Sequence, residues 1–263
     1  MEMINLKKFD TITINDVSMV NFLDIIHNNF NRKDGLKIIV TPNIDHLQRL
    51  RNSDDPSFCK AYEISDYRLC DSRIVQKLSS FNEQNILNVV PGSDLTRELL
   101  RLDWVRRAKV TIIGTTEKQV EQLKKNFQLH NIEHFNPSMG FAKRNNEVEA
   151  CVDFIINSNP DFVFLAVGSP SQEHLAFSLY QRINSVNPNS FAAQLFCIGA
   201  SLDFLTGKTK RAPIWMQKAH LEWLHRALSQ PRRLVPRYYR NLKYVLWFLL
   251  FRNRALVCDR RAN

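Results

Sequence analysis

Residues 161–173 read DFVFLAVGSPSQE. The six apolar residues Phe162–Val167 form a run without polar interruption. That length is short for a buried helix and suits a strand covered on both faces, as strands of a parallel sheet are. Gly168 ends the run, and Ser169-Pro170-Ser171 leads into a segment of helical character. Strand, glycine, helix start is the repeating unit of α/β proteins. Further candidate strands lie at Leu36–Thr41, Leu87–Val90, Val110–Gly114 and Leu195–Gly199. A helix is expected over Thr116–Phe127, opened by Thr116 as N-cap, with Val120, Leu123 and Phe127 on one face. Another is expected over Glu147–Asn157, stopped by the turn-forming residues up to Pro160. The first dozen residues alternate weakly and fit a small hairpin. The expected architecture is therefore α/β: a Rossmann-like, mostly parallel sheet flanked by helices.

Charge divides the 263 residues in two. Fourteen of the 36 Lys and Arg, but only two of the 26 acids, fall from Lys208 onward. The tail thus has a net charge of +12, while residues 1–207 sum to −2. A division into a 1–207 α/β body and a 208–263 basic appendage follows. Such an appendage seeks phosphates, whether of anionic lipid, nucleic acid or a diphosphate ligand. Within it, Ala212–Leu228 reads as a Pro-started amphipathic helix with Trp215, Leu221, Trp223 and Leu224 among its apolar positions. Pro231 and Pro236 are expected to break the helical pattern before a second cationic helix, Tyr238–Phe251. Aromatic residues interleaved with arginines fit an interfacial anchor on an anionic membrane surface, or a basic helical pair packed on the body. No helix-turn-helix, zinc or RNP-like signature accompanies the charge, so no nucleic-acid partner is expected. Exposed Trp and Tyr in the tail also suit association between copies.

The five cysteines are scattered and odd in number, which fits a reducing compartment rather than a disulfide framework. The N-terminal stretch has no apolar core behind a basic start, so no signal peptide is expected. The longest apolar run, Tyr244–Phe251, is far shorter than the ~20 residues of a membrane-spanning helix. His spacing suggests no metal site, and no Asp-x-Asp motif appears. Neither a metal nor another cofactor is expected.

In open α/β sheets ligands bind beyond the carboxyl ends of strands. There the sequence offers Thr41 and Asn43, a hydroxyl and an amide, in what is also an ordinary Thr-Pro-Asn turn. Asp71 follows the apolar Leu69-Cys70 and reads either as a general base or as the N-cap of a helix over Ser72–Ser80. Gly168 and Ser169 lie where backbone N–H groups can meet phosphate. Gly199-Ala200-Ser201 is a further strand exit. The Gly168 strand exit lacks both the GxGxxG spacing of dinucleotide folds and the GK[ST] of P-loops, which argues against those activities.

Seven segments in this order resemble the bacterial WecG/TagA/CpsF glycosyltransferase family: TPNIDHL (41–47), YEISDYRLCDSRIV (62–75), VVPGSDLTREL (89–99), VTIIGTTEKQVEQLKK (110–125), NPSMGF (136–141), DFVFLAVGSPSQEHL (161–175) and residues 196–241. The last contains Gly207-Lys208-x-x-Arg211-Ala212-Pro213-x-Trp215-Met216, Glu222-Trp223-Leu224-x-Arg226 and Gln230-Pro231-Arg232-Arg233-Leu234. The resemblance implies inverting transfer from a UDP-sugar to a polyprenyl-diphosphate-linked saccharide, at the cytoplasmic face of the membrane, in surface-polymer synthesis. It makes Asp71 the catalytic base and places Thr41, Asn43 and Gln172 near the sugars. It also places Arg211 and Arg226, with Arg232 and Arg233, where they could neutralise a diphosphate or meet lipid. The family commonly has Asp-Gly where this chain has Asp71-Ser72-Arg73, so Arg73 either reads the donor or faces solvent. The rival expectation is a non-catalytic membrane-surface or nucleic-acid-binding module on an α/β body.

Overall fold

The computed structural model describes residues 4–52, 54–81, 85–187, 191–209, 213, 216 and 231–259. The chain opens with an antiparallel hairpin of β1 (Asn5–Phe9) and β2 (Ile12–Asp16), as the weak alternation suggested. The central sheet has six parallel strands: β3 (Leu36–Val40), β4 (Tyr67–Arg68), β5 (Lys109–Ile113), β6 (Asn131–Phe135), β7 (Phe162–Leu165) and β8 (Ala193–Cys197). Their order is β4-β3-β8-β7-β5-β6, with every pairing parallel. All strand exits that carry candidate site residues therefore lie along one edge of the sheet.

Period-two alternation divides the apolar runs between two helical layers. Ile39, Val110, Ile112, Phe162, Phe164 and Phe196 face α1 (Met19–Arg32), α5 (Gly92–Arg101), α6 (Asp103–Arg107) and α7 (Glu117–Phe127). Ile38, Val40, Val163, Leu165, Leu195 and Cys197 face α3 (Pro56–Glu63), α8 (Asn145–Ser158) and α9 (Ser171–Val186). Burial on both faces explains why these strands contain almost no polar residues. Thr116 caps α7 by accepting from the Gln119 N–H, as expected.

Three features depart from the sequence reading. Leu87–Val90 is not a strand: its polar backbone is held by Asp16, whose carboxylate accepts from the N–H groups of Leu87 and Asn88, while Val90 N–H reaches Cys70 O. The sheet instead recruits β4, too short to leave a pattern, and β6, a polar edge strand of sequence NIEHF. Near the C-terminus one helix, α11, runs from Pro231 to Asp259 straight through Pro236. A proline there deletes one backbone bond, yet Leu234, Tyr244 and Phe248 of this helix are buried and hold it to the body.

α11 packs beside α2 (Ile44–Asn52) and the hairpin over a third apolar cluster that includes Phe9, Ile44, Leu47, Val75 and Leu78. Phe248 stacks on Phe9 with ring centroids 4.9 Å apart, and Tyr244 Oη donates to Asp10 across 2.7 Å. The Arg51 guanidinium, itself paired with Asp10, sits 3.5 Å above the Trp247 ring. No helix among the described residues is long and apolar enough to cross a membrane. The helix expected over Ala212–Leu228 lies outside the described residues, apart from Pro213 and Met216.

Candidate functional site

The site is built where β3, β4 and β8 release the chain. Beyond β3, Thr41 is buried and Asn43 begins a turn. The Asn43 side-chain Oδ1 accepts from the Asp45 N–H at 3.0 Å, and the Asn43 N–H donates to His46 Nδ1 at 3.2 Å. Together these bonds satisfy groups at the start of α2 that lack intrahelical partners.

Beyond β4, the Asp71 N–H donates to Pro42 O at 3.1 Å, which ties this exit to the β3 loop. Asp71 Oδ1 accepts from the Gly92 N–H, 3.2 Å away at the first residue of α5. The helix cap that Asp71 was one candidate for belongs to Ser72: its side chain accepts from Val75 N–H at the start of α4 (Arg73–Ser79). A hydroxyl one residue closer to the helix has the reach for that bond, and Asp71 is thereby turned to Gly92 instead. Gly92 presents a bare Cα to Thr41, since a Cβ there would lie 2.9 Å from Thr41 Oγ1 and 3.7 Å from Ser201 Oγ. Thr41, Asp71 and Ser201, the last opening α10 (Ser201–Leu205), thus converge from three strand exits on Gly92 at the start of α5. Arg73, first residue of α4, is exposed at the margin.

A second cluster lies beyond β7. Gly168 adopts φ +77°, in the region glycine reaches without strain, and a Cβ there would meet open space. Ser169 Oγ is buried and makes no aligned hydrogen bond among the described residues. Gln172 is 3% exposed, with both ends of its amide engaged inside the protein. Its Oε1 accepts from Gly199 N–H at 2.7 Å, and its Nε2 donates to Glu173 Oε1 at 2.9 Å. In this arrangement Gln172 braces the β8 exit from beneath.

Glu173 is fully buried, and burial raises its pKa above the ordinary carboxylate range. His46 Nε2 stands 3.9 Å from Glu173 Oε1. Burial, assisted by the charges of Arg237 and Arg49, lowers the His46 pKa to about 3, so its ring is neutral near pH 7. Asn43, His46, Glu173, Gln172 and Gly199 therefore form one chain of contacts beneath the two exits. Sequence reasoning missed His46, Glu173 and Gly92. The first two meet only once α2 and α9 are packed together, and the role of Gly92 depends on Thr41, far away along the chain.

Of the tail residues, Arg232 is exposed on α11, Arg233 lies on the same helix, and Arg211 and Arg226 lie outside the described residues. Among the described residues no group of three or more His, Cys, Asp or Glu could hold a metal.

The family model for the glycosyl transferase WecG/TagA/CpsF family matches residues 8–257. Similar proteins include an N-acetylglucosaminyldiphosphoundecaprenol N-acetyl-beta-D-mannosaminyltransferase of Staphylococcus aureus strain MW2, 28% identical over 175 residues that cover 65% of this chain. The corresponding protein of strain MRSA252 is 27% identical over 175 residues. The chain spans 64% of the length of these relatives. With the match running from β1 into α11 and taking in all the strand exits described above, the chain belongs to the WecG/TagA/CpsF glycosyltransferase family.

Proposed function

We propose that this protein is an inverting glycosyltransferase that moves a sugar from a UDP-sugar to a polyprenyl-diphosphate-linked saccharide, with Asp71 as general base. One observation supports this above the others: Asp71 is anchored through Pro42 O and Gly92 N–H beside Thr41, in a chain of this family. A residue whose main chain is tied to the neighbouring strand exit and whose carboxylate accepts from a backbone N–H has a defined direction, which proton removal from an acceptor hydroxyl requires. The relatives' name points to N-acetylglucosaminyl-diphospho-undecaprenol as acceptor and to an N-acetylmannosaminyl donor. As the acceptor O–H attacks the anomeric carbon, its proton passes to Asp71 and the bond to the nucleotide diphosphate breaks. The leaving diphosphate needs electrostatic relief, and the Gly168–Ser169 turn and the tail arginines Arg211, Arg226, Arg232 and Arg233 are the groups assigned to it. Thr41 and Asn43, on the β3 exit that bonds Asp71 through Pro42 O, are assigned to the acceptor or donor sugar, and Arg73 to the margin of the site.

The 208–263 segment is proposed as the part that meets the membrane, peripherally at the cytoplasmic face. α11 supports this with a second apolar face opposite the packed one. Val235, Tyr239, Leu242, Leu246 and Leu250 are exposed at helical spacing, with Arg232 and Lys243 along one margin. Such a face suits the boundary between headgroups and acyl chains, with ~1 kcal/mol per basic residue near an anionic leaflet.

Incubating the protein with a panel of radiolabelled UDP-sugars and polyprenyl-diphosphate-linked saccharides tests the activity. Product from one pair, lost in Asp71→Asn, is expected. No product from any pair would overturn the proposal in favour of a binding module.

A further inference from the structure

Asp45 stands in the first turn of α2, two residues beyond Asn43, with a side chain that is 1% exposed. A lone carboxylate at that depth is costly, so what surrounds it decides whether it is tolerated. Arg49, one turn along α2, brings Nε within 3.1 Å of Oδ2. Arg237, from the C-terminal helix α11, brings Nε within 3.0 Å of Oδ1. These are close charge contacts rather than aligned hydrogen bonds. At its backbone end the same residue donates to the Asn43 side chain. Asp45 therefore touches the site loop with its main chain and the tail helix with its carboxylate.

The other anchors of α11 lie elsewhere. Tyr244 bonds Asp10 in the hairpin turn, Phe248 stacks on Phe9, and Trp247 meets Arg51 at the far end of α2. Among the ion pairs of the described residues, Arg237 is the α11 residue that meets the start of α2, next to the Thr41–Asn43 exit.

We infer that Arg237 is a positioning residue for the Thr41–Asn43 loop, acting through Asp45. Seating α11 places the guanidinium on the carboxylate, and the compensated carboxylate keeps the first turn of α2 folded against Asn43. With α11 displaced, Asp45 keeps only Arg49 as charged partner among the described residues, and the turn that orients Asn43 loses its support. A tail that settles on a surface is thereby linked to the geometry of the candidate site. The consequence for catalysis rests on the transferase proposal; the linkage itself does not.

Hydrogen exchange of the full chain, followed by mass spectrometry, tests this in wild type, Arg237→Gln, Asp45→Asn and Tyr244→Phe. Exchange over residues 43–47 should rise about tenfold in Arg237→Gln and in Asp45→Asn, as expected for a lost contact to a charged group. Tyr244→Phe cuts the Asp10 bond on the same helix and should leave residues 43–47 as in wild type. Unchanged exchange there in either of the first two variants overturns the inference. An equal rise in Tyr244→Phe also overturns it, because general docking of α11 would then be the cause. In the sugar-transfer assay Arg237→Gln should lose turnover in proportion to the exchange change. A chain that shows the exchange pattern but transfers no sugar with any donor refutes the transferase proposal and leaves the linkage intact.

Discussion

The Gly92 N–H donates to Asp71 Oδ1 across 3.2 Å, while the bare Cα of Gly92 lies against Thr41. One residue thus sets both the direction of a carboxylate and the clearance of the neighbouring hydroxyl. Because Gly92 opens α5, its N–H is among those a helix leaves unbonded, and the helix dipole favours a negative group at that point.

Asp71→Asn keeps the size of the side chain and its Oδ1 acceptor but removes the basic site. Sugar transfer should fall by roughly 10²–10⁴-fold, the usual worth of a general base. The urea midpoint should stay near that of wild type. Full turnover in this variant would leave the family assignment standing and refute Asp71 as base.

Gly92→Ala tests the clearance. The added Cβ would sit 2.9 Å from Thr41 Oγ1, so either α5 or the β3 exit has to shift. A destabilisation of about 1–3 kcal/mol is expected. Turnover should fall by roughly 10-fold or more, because displacements of about 1 Å are felt strongly in positioned reactions. Denaturant melts and kinetics on the same preparation would check both, and a silent variant would show that Thr41 has room to move.

His46 and Glu173 give opposite contributions to stability with pH. The unfolded chain protonates His46 near pH 6.5, whereas the folded chain resists protonation down to about pH 3. Between those values falling pH favours the unfolded chain, by up to ~1.4 kcal/mol per pH unit. Glu173 has its folded pKa raised above 4.5, so the folded chain keeps a proton that the unfolded chain releases as pH rises past 4.5. In the interval just above pH 4.5 the two slopes oppose each other; below it His46 acts alone. Glu173→Gln removes the opposing slope, so just above pH 4.5 acid destabilisation should be steeper than in wild type. Urea melts at steps from pH 3 to 7 would show it, and a profile overlaying wild type would refute the assignment.

The two faces of α11 should respond differently. Phe248→Ala empties a buried, stacked position and should cost about 3–5 kcal/mol. The pair Leu242→Glu and Leu246→Glu lies on the exposed face, where a cost within about 0.5 kcal/mol per site is expected. The same pair should abolish sedimentation with anionic phospholipid vesicles. Binding that survives both substitutions would place the membrane contact elsewhere in the chain.

Much of the layered body was readable in advance. Runs such as Phe162–Val167 and Leu36–Thr41 encode burial on both faces, and burial on both faces in turn specifies interior parallel strands. Thr116 announced its helix because a cap bond spans only three residues. The concentration of charge after Lys208, and the placing of Thr41 and Asn43 at a strand exit, were likewise local facts. The Leu87–Val90 run misled because apolar character alone does not distinguish a strand from an extended segment pinned by a distant acid, here Asp16. β4 and β6 went unseen because two residues carry no period and an edge strand need not be apolar.

Sequence by itself thus determined which segments enter the sheet interior, where the chain leaves it and where the cations gather, because period, cap and charge are properties of neighbouring residues. Only the tertiary structure decided that Ser72 rather than Asp71 caps α4, that Gly92 meets Asp71, that Gln172 braces Gly199 and that Arg237 sits on Asp45. Each of the last three joins residues from different elements. The packing that brings them together is set by all the buried surfaces at once, and no stretch of the chain contains that information alone.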